Sequence, residues 1–128
     1  MSEGVSRMIS LAFAQPLEAS GISAIVSRLF LRLADDLSVE GIVPGHIKAL
    51  LGDGDLYAVM SCTRPGKVIF QASERWNRAT VTNLQLTVEI IVLTIPQDKV
   101  SAVVQHCWQD FLDEVRKLPN CTFKSLNS

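Results

Sequence analysis

The feature that most constrains this chain is residues 46–95. Strand-like segments follow one another there with turn signals between them, and a helical pattern lies on either side. Residues 46–52 run into Asp53-Gly54, a dipeptide suited to a type I′ hairpin because glycine takes positive φ cheaply. Residues 55–62 return. Thr63-Arg64-Pro65-Gly66 then has proline and glycine where a type II turn wants them, and residues 67–73 follow as the next strand. After the polar loop Glu74–Thr80, residues 81–95 form the longest strand. Leu84, Leu86, Val88, Ile90 and Val92 share one face of it. The other face changes from Gln85, Thr87 and Glu89 to Ile91, Leu93 and Ile95. A strand apolar on both sides at one end is central in its sheet, or is covered there by a partner.

The flanks complete the outline. Ile9, Leu11 and Phe13 alternate with Ser10, Ala12 and Ala14, which marks residues 7–14 as a first strand ended by Gln15-Pro16. The same stretch could be read as a short export leader with Ala12-Phe13-Ala14 as its cleavage site, but it is of minimum length and follows Glu3 where a basic segment belongs. Residues 17–37 place Ile22, Ile25, Val26, Leu29, Phe30, Leu33 and Leu37 on one helical stripe, with Arg28, Arg32, Asp35 and Asp36 mainly outside it. A second helix is expected from Thr94, as its cap, to Leu118. Gln97 completes the capping box, Pro96 suits the first turn, and Pro119 is the stop. Its stripe is Val100, Val103, Val104, Cys107, Phe111, Val115 and Leu118. Residues 1–5 and 119–128 read as loose termini.

The expected order is β-α-β-β-β-β-α in one α+β domain spanning residues 1–128. Three hairpin links among the middle strands make the sheet mostly antiparallel. Both helices pack on one sheet face as a two-layer sandwich, leaving the other face polar or covered by another subunit. Tyr57, Met60, Ile91 and Leu93 are the candidates for that open face. The composition agrees: 48% hydrophobic against 20% charged is rich in apolar residues for 128 residues, so a homo-oligomer is expected. A net charge of −1 provides no field for nucleic acid or an acidic membrane, and no apolar run approaches the ~20 residues of a spanning helix. Cys62, Cys107 and Cys121 are odd in number and widely spaced. They suit reduced cytoplasmic thiols better than disulfides or a zinc site.

No residue pattern carries a catalytic, cofactor or metal signature. His46 and Lys48 share a strand face and could bind an anion or exchange protons, or simply form a solvated edge. Asp53 and Asp55 flank Gly54 without the further oxygen ligands of a calcium loop, so they read as turn residues. Cys62 near Arg64 could be an activated thiol, against a structural cysteine at a strand end. His106-Cys107 is a weaker version of the same pair, and Asn120-Cys121-Thr122 is a sequon that a cytoplasmic chain does not use. The most suggestive surface is Arg75, Trp76 and Arg78, with Arg64 and Lys67 on the preceding turn and strand. Arginine beside an aromatic ring suits a small anion, a base or a protein interface, unless Trp76 folds onto the core. Two functional expectations follow. The first is a non-enzymatic oligomeric binding or regulatory domain that self-associates through its open sheet face. The second is a small enzyme whose site at a subunit boundary holds an anionic substrate with Arg64, Arg75 and Arg78 and moves protons with His46. That enzyme needs those side chains to converge.

Overall fold

The computed structural model describes residues 3–118 and 121–125. Its elements are β1 (Glu3–Glu18), α1 (Ala19–Leu37), β2 (Gly45–Asp53), β3 (Leu56–Arg64), β4 (Lys67–Ala72), a short 3-10 turn at Trp76–Arg78, β5 (Thr80–Val92), α2 (Gln97–Arg116) and β6 (Cys121–Ser125). The expected order β-α-β-β-β-β-α is present, followed by a sixth strand. All pairings are antiparallel, in the order β4-β3-β2-β5-β1-β6.

Burial follows the two periodicities. Every member of the α1 stripe from Ile22 to Leu37 is buried. On α2, Val100, Val104, Cys107, Trp108, Phe111 and Val115 are buried, with Val103, Leu112 and Leu118 packed at the margin. The sheet meets the helices with Ile9, Leu11 and Phe13 of β1, Ile47, Ala49 and Leu51 of β2, Ala58, Met60 and Cys62 of β3, and Leu84 through Val92 at alternate positions of β5. Phe13, the middle residue of the leader-like Ala12-Phe13-Ala14, is thus part of this core.

Several boundaries differ from the sequence expectation for local reasons. β1 does not stop at Gln15-Pro16. Its register with β5 breaks between Ala12 and Leu17, and this irregularity takes up a proline that has no N–H for the ladder. The β2–β3 turn is centred on Gly54-Asp55, one residue later than expected. Only Gly54 has positive φ, at 66°, which suits a II′ rather than a I′ turn. Gly66, at 75°, takes the type II position expected of it. β5 ends at Val92, and the Leu93 N–H instead donates to the Pro44 carbonyl at 2.6 Å. Thr94 does not cap α2. Its φ is 69°, whereas an N-cap is extended, and the Lys99 and Val100 N–H groups bond to Pro96, the residue at the cap. Residues 3–5 and 121–125, expected to be loose, lie in β1 and β6. The rest of the two expected loose termini, residues 1–2, 119–120 and 126–128, lies outside the described residues.

The link from β4 to β5, expected as a third hairpin, is not one, because the two strands do not pair. It carries the chain from the sheet edge past β3 and β2, so that β5 enters between β2 and β1. The 3-10 turn plugs this crossing, with Trp76 fully buried against α1 and β3. Its indole N–H donates weakly to Ser23 Oγ at 3.5 Å.

One polar clamp joins the helices. Glu114 of α2 accepts from Arg28 Nη2 at 2.8 Å and Nε at 3.0 Å, and from Arg32 Nη1 at 3.1 Å. Burial pushes the Glu114 carboxyl up, but the hydrogen bonds and charges of the two arginines outweigh it and hold the group below its ordinary 4.5. A carboxylate with a depressed folded pKa contributes stability above its unfolded pKa and loses it as pH falls through the folded value. The clamp therefore supports the fold above about pH 4.5 and fades below it. Glu114→Gln is expected to cost about 1 kcal/mol at neutral pH, the upper range for a partly exposed ion pair. It should also flatten the acid limb of stability against pH, read from urea melts between pH 3 and 7. An acid limb unchanged by the substitution would show that the clamp contributes nothing.

Candidate functional site

The helices cover one face of the sheet, and strand alternation dictates what lies on the other. Residues between the buried positions point outward: Ile69 and Gln71 on β4, Tyr57, Val59 and Ser61 on β3, His46, Lys48 and Leu50 on β2, and Gln85, Thr87, Glu89 and Ile91 on β5. β1 adds Ser6, Met8, Ser10 and Ala12 to this face, and β6 adds Thr122 and Lys124. The face is therefore divided. Its β1–β6 side is polar or small apart from Met8. Its β2–β4 side carries Leu50, Tyr57 and Ile69 at 51%, 45% and 53% exposure, with Val59 among them.

Register explains the grouping. Leu50 lies directly opposite Val59 across β2–β3 and opposite Thr87 across β2–β5. Val59 in turn faces Gln71, with Ile69 two residues away on the same strand. A hollow of about 320 Å³ opens here, lined by Lys48, Ala49, Leu50, Val59, Thr87 and Glu89. Lys48 sits opposite Glu89 on one side and Ser61 on the other, so its charge has an acidic cross-strand neighbour.

Two of the four residues proposed for the open face need revision. Met60 is fully buried on the helix side, because it alternates with the outward Val59 and Ser61. Leu93 is 45% exposed but lies beyond the end of β5, where its N–H bonds to the Pro44 carbonyl. Tyr57 and Ile91 do face outward, Ile91 being half-buried opposite His46 and Gly4.

The cationic candidates do not meet. Arg75 and Arg78 are exposed at the crossing end of the sheet, beside a cavity of about 450 Å³ lined also by Leu56, Ala79 and Thr80. Arg64 is at the far end of β3, eight residues from Leu56 and hence roughly 26 Å away at the usual strand rise. His46 is the second residue of β2, at Arg64's end and next to Ile91, while Lys48 is farther along the open face. Trp76 does not join this surface, since it is fully buried beneath α1. Its exposed neighbours hid this in the sequence, where a tryptophan in a polar loop looks like an anchor for a partner.

No family model matches the chain, and neither a curated protein nor a solved structure matches it.

The thiols have a plain physical reading. Burial pushes Cys107 up to about 11, with Asp36 raising it further against the opposing charge of Arg32. Burial raises Cys62, and a backbone hydrogen bond from Arg64 to its sulfur lowers it only in part. Burial also raises Cys121. A thiol held protonated is a poor nucleophile, which favours the structural reading of Cys62. Among the described residues no group of three or more His, Cys, Asp or Glu is placed to hold a metal ion, and no helix is long and apolar enough to cross a membrane.

Proposed function

We propose that the chain is a non-enzymatic binding or regulatory module of the cytoplasm that associates with a copy of itself through the apolar half of its open sheet face. The observation that carries this reading is the contiguous set Leu50, Tyr57, Val59 and Ile69 on three adjacent strands, all on the face that no helix covers. Eight large apolar side chains are exposed among the described residues, and three of them fall in this one group rather than being scattered. Lys48 and Glu89 at its margin supply a polar rim of both signs, which suits a surface meeting its own copy. Three free cysteines suit a reducing compartment.

Leu50→Glu/Tyr57→Glu is the test. Both positions are exposed, so the monomer should fold with a normal melt, while the self-association constant should weaken by at least about 100-fold for two buried apolar anchors replaced by charge. Native mass spectrometry over a concentration series reads the change. An unchanged assembly would remove the open face as the contact. The enzyme reading gains nothing from the geometry, because Arg64 and His46 lie at one end of the sheet and Arg75 and Arg78 at the other.

A further inference from the structure

The sheet has two edges. β6 is five residues long and presents Lys124, and β4 is six residues long and begins with Lys67. β4, Lys67–Ala72, is apolar on its helix side, with Val68, Phe70 and Ala72, and carries Ile69 between Lys67 and Gln71 on the open side. Ile69 is 53% exposed on the open side and Phe70 is 40% exposed on the helix side. Edge strands ordinarily carry a proline, a bulge or an inward charge that stops another strand from adding to them. Positions 68–72 have none of these. The irregularity in the β3–β4 ladder falls between Cys62 and Arg64, beside the turn.

The backbone of β4 is also set to accept a strand. The Ser73 N–H donates to the Tyr57 carbonyl at 2.9 Å, and antiparallel alternation carries that inward pattern to Gln71 and Ile69. Val68, Phe70 and Ala72 therefore turn their own N–H and C=O groups away from β3.

We propose that β4 is a second contact between copies, in which two β4 strands pair antiparallel about a two-fold axis and join two sheets into one. The strand's own sequence argues for a copy as the occupant. A two-fold axis perpendicular to the sheet pairs only residues that share a face. With Ile69 on the axis opposite its equivalent, Val68 of one copy meets Phe70 of the other, twice over. Those are the residues whose backbone groups face outward, so each such pair exchanges two N–H···O=C bonds. Lys67, the only charge on the strand, then falls opposite Gln71 rather than its own equivalent, and no like charges meet across the seam. This edge contact is separate from the face contact proposed above, and the two can form in one assembly.

The experiment is native mass spectrometry of the full chain with hydrogen exchange, on wild type, Phe70→Pro, Phe70→Lys and Leu50→Glu/Tyr57→Glu. Phe70→Pro removes an outward donor without touching the β3 ladder. Phe70→Lys keeps that donor and puts a charge at the seam, so a failure of the proline variant to fold leaves the test intact. Each folded Phe70 variant is expected to halve the native mass and to keep the wild-type circular dichroism. The Val68 amide should exchange slowly in wild type and at least 100-fold faster in Phe70→Lys. Unchanged mass in Phe70→Lys, or a fast Val68 amide in wild type, overturns the edge contact. If the face variant keeps its mass while the Phe70 variants halve theirs, the face reading falls and the edge stands. The converse sinks the edge alone.

Discussion

Trp76→Ala is expected to lower the unfolding free energy by about 3–5 kcal/mol, the range for deleting a large buried aromatic ring. The indole is fully buried in the link that takes the chain from the β4 edge to β5 in the middle of the sheet. Removing it leaves a void between α1 and the end of β3 that the short 3-10 turn cannot collapse to fill, since the turn is held by Trp76 N–H to the Ser73 carbonyl and Arg78 N–H to the Arg75 carbonyl, each at 3.0 Å. The ring itself does most of the work. Its N–H to Ser23 Oγ is long at 3.5 Å, and Ser23 already donates to the Ser20 carbonyl at 2.9 Å. Trp76→Phe should therefore cost only about 1–2 kcal/mol, the loss of part of the buried area. Arg75→Ala and Arg78→Ala, both at exposed positions, should stay within about 0.5 kcal/mol. Urea denaturation of the four variants measures the contrast. A Trp76→Ala loss as small as that of Arg75→Ala would mean that the turn does not seal the core.

Gly45→Ala should cost at least about 3 kcal/mol, combining an unfavourable backbone conformation with a steric clash. Gly45 opens β2 with φ 154°, and a Cβ there would run into the Ile91 carbonyl oxygen, which is backbone and cannot swing aside. β2 must then lift from β5 just where Gly45 pairs with Val92 and His46 with Ile91. Gly41→Ala is the control. Its φ is also positive, at 82°, but nothing lies within 4 Å of a Cβ there, so it should show the conformational cost of about 1 kcal/mol without the clash. Equal losses at the two positions would show that the close approach to Ile91 is not stabilising the strand start.

Local patterns were strong where one element sees one interface. The α1 and α2 stripes and the alternation of β1 and β5 each record burial against a single apolar surface, so they can be counted from the residues alone. Boundaries were weaker because long-range pairing overrides local signals. Pro16 looks like a strand end until β5 supplies a ladder in which a register break can hold it. Thr94 looks like a cap until its positive φ is set by the turn between β5 and α2. Cys121–Ser125 has too little alternation to stand out, and becomes a strand only because β1 offers it an edge.

For the site, the residue types were legible but their neighbours were not. Arg64, Arg75, Arg78 and His46 are close enough in sequence to suggest a cluster, yet β3 is a rigid rod that holds its ends roughly 26 Å apart. Periodicity by itself determined the fold class, two helices over one antiparallel sheet, because a repeat of two or 3.6 residues follows from the geometry of a single element. Only the tertiary structure decided that Trp76 is core, that Met60 faces the helices, that β5 is central and that β4 is a bare edge. Those properties depend on which strands lie side by side, and that order comes from contacts between residues far apart in the chain.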